Sequence, residues 1–184
     1  LICVDLRSLA PNQNIELGVI NGVVGKLTIE ESKKAVPTNT LLPTIVGLKS
    51  GDTQTEFYKY MTSQKLVSKY CSRIRDSERI FVPIYLALHV ALMVVDIKIR
   101  EVAIWDSYKK HTNTPDLEAK AKQIVTMLDV LFGKDFSGIL DDDHPFQHFP
   151  IQFVVEAPQQ SNDDDSGMFV VKLMKGATSL DKAA

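Results

Sequence analysis

His89 opens one apolar stretch of the sequence, and Asp106 closes the next, seventeen residues later. If the two stretches pair as an antiparallel hairpin turning near Lys98, positions 89 and 106 come within about two residues of standing opposite, close enough for a carboxylate to hold an imidazole. That is the arrangement of a general base and the group that orients it. A His and an Asp that merely cap a sheet edge fit the same spacing, and on spacing alone this plainer reading is the stronger.

A second cluster, Pro158-Gln159-Gln160-Ser161-Asn162-Asp163-Asp164-Asp165-Ser166-Gly167, runs straight into an apolar segment of helical character. A side chain in the first turn of a buried helix sits at the positive end of the helix dipole. There an anionic nucleophile is stabilised and backbone N–H groups can receive an oxyanion. Ser166 holds that place. Helix capping explains these residues without chemistry, since Asp164, Asp165 and Ser166 are all good N-cap types. His111, His144 and His148 have no i,i+4 partner of metal-site kind, and Cys3 and Cys71 lack CxxC or Cys/His spacing. Neither a metal nor a cofactor is expected, and the Asp141-Asp142-Asp143 run reads as a solvated loop.

These residues need elements to carry them. Ile15, Val19, Ile20, Val23 and Val24 recur at helical spacing within Asn14 to Lys26, although three glycines weaken that helix. Residues 34–53 carry the Pro and Gly of a loop, and Thr53 starts a helix through about Cys71. From Ile80 the β-branched and apolar runs IFVPIYL, HVALMVVDI and EVAIWDS predict three consecutive strands. The period of Leu117, Ala121, Ile124, Val125, Leu128 and Leu131 predicts a helix after Pro115, with Gly133 as its stop. Pro150 to Val155 reads as a strand, Gln159 to Asp165 as a polar loop, and Gly167 to Lys175 as a buried helix. Helices, then a block of strands, then helix, strand and helix suit an α+β fold in one domain over 1–184.

Composition narrows the function classes. The chain has 184 residues, 45% hydrophobic and 24% charged, the proportions of an ordinary globular domain. A net charge of -2 provides no basic field for a nucleic acid backbone, so no nucleic acid partner is expected. The longest apolar run, Phe81 to Val95, is broken by Pro83, Tyr85 and His89 and reads as strands, so no membrane span is expected. Two cysteines are too few for a disulfide scaffold, which points to a reducing compartment, the nucleus or cytoplasm. Because residue 1 is Leu, the sequence reads as an excised domain.

Several pieces together resemble one family. Phe81-Val82-Pro83-Ile84, His89 ahead of Val94-Val95-Asp96, Trp105-Asp106-Ser107, and Gln160-x-Asn162-x-x-Asp165-Ser166-Gly167-Met168-Phe169-Val170 are similar in order and spacing to the SUMO proteases, the ubiquitin-like-protein-specific cysteine proteases. Leu6 to Asn21 resembles that family's first helix, and Arg100-Glu101-Val102 with Gly167-Met168-Phe169 has the look of a plant member. The resemblance implies a papain-like α+β fold with a central helix packed on a mixed sheet. It implies hydrolysis after the Gly-Gly tail of a ubiquitin-like modifier, SUMO or a relative, which is the expected partner.

Carried over by position, the resemblance makes His89 the general base, Asp106 its orienter, and Gln160 an oxyanion donor beside the N–H of residue 166. Ser166 stands where the family has its nucleophilic Cys. A thiol ionises near about pH 8.5 and is brought lower by a helix N-terminus and an imidazolium. A hydroxyl cannot be ionised in that way, and three carboxylates beside it disfavour added negative charge. Little or no peptidase activity is therefore expected of this chain. Two origins stand open: an engineered Cys→Ser change, or a natural pseudoprotease retained for binding. Three substrate-handling positions also depart from the family: Val90 replaces a Trp that lies over the Gly-Gly tunnel, while Asn14 and Leu17 stand at first-helix Trp and Asp positions. Gly167 belongs to the same binding set. Trp105, the only Trp, is expected to face away from the site and pack in the core.

Overall fold

The computed structural model describes residues 15–43, 45–46, 74–86, 89–108, 114–140 and 145–180. The helix expected over 53–71 lies outside these residues, as do Cys3, Cys71, His111, His144, the Asp141 run and Asn14.

Helix α1 spans Leu17–Ser32 and buries Val19, Ile20, Val24 and Leu27 along one stripe. It starts later than the expected Asn14 and runs past Lys26 because the stripe continues through Leu27 to Glu31. The buried Glu31 carboxylate accepts N–H groups of Thr38 and Asn39 at 2.8 and 3.0 Å and pairs with Lys34 at 2.7 Å. That fixes the chain as it enters β1 (Asn39–Leu41), which with β2 (Ile45–Val46) interrupts the loop expected over 34–53.

The three expected strands are β3 (Arg79–Leu86), β4 (His89–Asp96) and β5 (Glu101–Trp105). β3 pairs antiparallel with β4, and β4 antiparallel with β5, while β1 and β2 both run parallel to β3. The β4–β5 turn falls at Ile97–Arg100, where Asp96 Oδ1 accepts the N–H groups of Lys98 and Ile99, each at 3.1 Å. Strand β6 (Ile151–Phe153) lies parallel to β5, which makes the sheet mixed, in the order β1-β3-β4-β5-β6. β4 is buried at seven of its eight positions and β3 at five consecutive ones, as expected of strands covered on both faces over much of their length.

Helix α2 spans Thr114–Leu140 and does not stop at Gly133. A glycine inside a helix costs about 1 kcal/mol. Burial of Phe132, Phe136 and Leu140 around it outweighs that cost. On α2 the buried Asp129 carboxylate accepts the N–H groups of Phe146 and Gln147 at 2.9 and 3.0 Å, and so holds the short 3-10 turn Pro145–His148 that leads into β6. Asp129→Ala would strand both donors and is expected to cost about 3 kcal/mol of stability, read as a lowered urea midpoint with an unchanged slope. His148 is exposed, as a surface histidine should be.

Helix α3 spans Ser166–Leu180, lies against β4, and packs on α1. Buried Val170, Val171 and Met174 anchor it. Strand register sets Trp105 opposite Leu92, on the face of β5 away from Asp106. It is half-buried at the margin of the core and lines a groove of about 570 Å³ with Phe81, Leu92, Phe169 and Leu173.

Candidate active site

The β4–β5 register would place His89 opposite Tyr108, so Asp106 lies diagonally across from it, as the hairpin reading requires. His89 Nε2 and Asp106 Oδ1 stand 2.7 Å apart, with both residues only 8% exposed. The same carboxylate oxygen accepts the Tyr108 N–H at 2.9 Å. A carboxylate can only accept, so the neutral imidazole carries its proton on Nε2 and keeps a lone pair on Nδ1. Such a ring can take a proton at Nδ1 and remain held as an imidazolium.

The nucleophile position is built by a turn. Asn162 Oδ1 accepts the N–H groups of Asp164 and Asp165 at 3.0 and 3.1 Å, while its Nδ2 donates to Asp165 Oδ2 at 2.8 Å. Asp165 O then accepts the N–H of Phe169, so Asp165 caps α3 and Ser166 becomes its first residue. The first N–H groups of a helix have no intrahelical acceptor, and those of α3 begin at Ser166. Ser166 is 1% exposed, and its Oγ accepts the Val90 N–H at 3.2 Å, which sets the hydroxyl against the residue that follows His89.

The acids beside Ser166 are less free than their sequence suggests. Asp165 is bonded to Asn162, and Asp163 accepts the Tyr108 hydroxyl at 2.5 Å. That bond, with some burial and the Asp163 charge, raises the Tyr108 hydroxyl above its ordinary ionisation range, so it stays protonated as a donor. The Tyr108 ring stands 6.3 Å from that of His89.

Gln160 is buried, and its Oε1 accepts the Ser107 hydroxyl at 2.7 Å. Leu17, Val90, Ser166 and Gly167 line one cavity of about 140 Å³ with Ile15 and Tyr85, so three of the four expected substrate-binding positions meet at the expected nucleophile. The fourth, Asn14, lies outside the described residues.

Gly167 has a steric reason to be glycine. A Cβ there would stand 2.9 Å from Ile15 Cβ and 3.3 Å from Ile20 Cδ1. Ile15 Cβ is fixed to its backbone and cannot swing aside. Gly167→Ala is therefore expected to cost about 1–3 kcal/mol, seen as a lower Tm, as α1 and the start of α3 are driven apart.

The sequence reading gave no role to Ser107, Tyr108, Gln159 or Asn162. Gln159 Nε2 donates to Asp106 O at 3.0 Å, and Gln160 N–H to Ser107 O at 2.8 Å. Residues 106–108 are thus hydrogen-bonded to the loop leading into α3. The one signal available was that Ser107 and Asn162 fall within the two motifs. Among the described residues no cluster of three or more His, Cys, Asp or Glu could hold a metal ion.

A mixed sheet that sets a His–Asp pair at the N-terminus of a buried helix defines an α+β fold of the Ulp1 type. The chain belongs to the Ulp1 protease family: residues 49–179 match the model of the Ulp1 protease family, C-terminal catalytic domain. It is 31% identical over 99 residues to ubiquitin-like-specific protease 1A of Arabidopsis thaliana, a stretch covering 54% of this chain and 18% of that relative's length. The structure is similar to SUMO protease Ulp1 with its catalytic cysteine oxidised to a sulfinic acid, at TM-score 0.67 and 20% identity, covering 97% of this chain and 73% of that one. It is also similar to the C-terminal Ulp1 protease domain solved in complex with Smt3, the yeast ortholog of SUMO, at TM-score 0.64 and 21% identity, covering 96% and 71%. The catalytic domain of the Ulp1-like SUMO protease of Chaetomium thermophilum matches at TM-score 0.62 and 16% identity, covering 97% and 68%.

Proposed function

We propose that this domain is built to cleave the peptide or isopeptide bond after the Gly-Gly tail of a ubiquitin-like modifier, SUMO or a relative, in the nucleus or cytoplasm. In this reading His89 is the general base and Asp106 orients it. Gln160 and the N–H of residue 166 receive the oxyanion, and residue 166 is the nucleophile position. The observation that carries it is the bond from Val90 N–H to Ser166 Oγ, which sets a helix-N-terminal hydroxyl beside the His89–Asp106 pair. The cavity of about 140 Å³ next to it suits residues without side chains.

With Ser at 166 the chain is expected to be inert as a peptidase, because a hydroxyl needs its proton removed during attack whereas a thiol is stored as thiolate. The test is cleavage of a panel of ubiquitin-like precursors and C-terminal fluorogenic conjugates by the Ser166→Cys form beside the parent chain. If that form cleaves no modifier, the peptidase reading fails.

A second reading, a pseudoprotease that binds a partner through the old substrate groove, is favoured by one observation. Ser166, Val90 and Leu17, three of the positions that depart from the family pattern, line the same cavity. Calorimetric titration of the parent chain with the same modifiers tests it: binding without turnover in the Ser166→Cys form supports it, and no binding removes it.

A further inference from the structure

Gln160 carries one acceptor and two N–H donors on its side-chain amide. The acceptor Oε1 takes the Ser107 hydroxyl at 2.7 Å, and one N–H of Nε2 is given to Asn162 O at 2.7 Å. The second N–H makes no bond among the described residues. The Asn162 carbonyl can only accept, so it selects the face on which the NH2 group lies. Ser107 then supplies the donor that the buried Oε1 needs. The two residues are clasped again through their backbones, with Gln160 N–H donating to Ser107 O at 2.8 Å. Both partners are nearly closed to solvent, Ser107 at 4% and Gln160 at 7%, so no water can readily replace the hydroxyl.

We propose that Ser107 is a positioning residue for the oxyanion site: its hydroxyl holds the Gln160 amide in the one orientation that keeps an N–H in reserve for the negative oxygen formed on the substrate carbonyl. This rests on the reading of Gln160 as an oxyanion donor. Ser107 itself touches no reacting atom. Without its hydroxyl, Oε1 is buried with no donor, and the amide relieves this by turning toward solvent, taking its reserved N–H with it. Preorganised donors act on the transition state more than on the bound substrate, so the loss falls on kcat and not on KM.

A double-mutant cycle in the Ser166→Cys background tests this. Ser107→Ala is expected to lower kcat on a fluorogenic ubiquitin-like conjugate about 10- to 100-fold with KM within about twofold. In a Gln160→Ala background the same change should have almost no further effect, because Ser107 acts only through Gln160. Ser107→Cys, nearly isosteric with a weak donor, should lie between, and it keeps the test open if the Ala variant folds poorly. An unchanged kcat in Ser107→Ala, or a loss of the same size with and without Gln160, overturns the proposal. A parallel arm uses the parent Ser166 chain, in which the Gln160 side-chain NH2 resonances should be dispersed in the 15N–1H spectrum and collapse toward free-amide positions in Ser107→Ala. If the Ser166→Cys form cleaves nothing, the reading of function fails, and this arm still decides whether Ser107 holds the amide. Undisturbed resonances would overturn the proposal there too.

Discussion

On the proposed reading, Ser166→Cys is expected to raise turnover of a ubiquitin-like conjugate by at least about 10³-fold over the parent chain, because the His89–Asp106 pair and the buried helix start at 166 are already in place. The imidazole is held at Nε2 by Asp106 at 2.7 Å, which leaves Nδ1 as its basic nitrogen. Position 166 is buried at the start of α3, where unpaired helix N–H groups favour a thiolate over a thiol. Sulfur is larger than oxygen, and the Val90 N–H that now donates to Oγ at 3.2 Å is placed to donate to sulfur over the longer distance. Nearby acids do not undo this, since Asp165 is tied to Asn162 and Asp163 to Tyr108. Adding His89→Ala to the Ser166→Cys form should return the rate to the parent level, because the thiolate then has no imidazolium partner. A rate that survives loss of His89 would mean that the new thiol reacts by itself and that the site is not a catalytic pair.

In the same background Asp106→Ala and Asp106→Asn should separate by more than an order of magnitude. Both donors, His89 Nε2 and the Tyr108 N–H, converge on Oδ1 alone. An asparagine can keep its carbonyl oxygen at that point, because the Tyr108 N–H requires an acceptor there, and so it preserves the tautomer and the ring orientation. What it loses is the charge that supports the imidazolium, a charged hydrogen bond worth about 10- to 100-fold in kcat/KM. Alanine removes the acceptor too, freeing the ring and stranding the Tyr108 N–H, and about 10³-fold or more is expected to be lost. Equal losses for the two variants would show that charge and not orientation is the contribution of Asp106. No loss in either would remove it from the site.

The strands could be read because their chemistry is local. β-branched runs interrupted by the polar His89 and by the charged residues near Lys98 mark β3, β4 and β5, and the turn at 97–100 fixes the diagonal between His89 and Asp106. The length of α2 could not be read. Gly133 looks like a helix stop until Phe132, Phe136 and Leu140 are seen buried around it. β1 and β2 were equally hidden, since three- and two-residue strands have too few side chains to show a period and exist only because β3 lies beside them.

The sequence by itself displayed the candidate site: a His and an Asp at the ends of neighbouring strands, and a Gln-x-Asn-x-x-Asp-Ser-Gly run at a helix start, residues whose spacing alone suits capping and whose roles come from the family resemblance. The Ser at 166 is likewise read directly from the chain. Only the tertiary structure decided that Val90 N–H reaches Ser166 Oγ across 76 residues of sequence and that Ser107 holds Gln160 across 53. It alone showed that Gly167 must be small against Ile15 and that Asp163 is spent on Tyr108. These contacts join separate elements, and their geometry follows from how α1 and α3 pack on each other and on the sheet, a cooperative outcome of the whole core that no local pattern encodes.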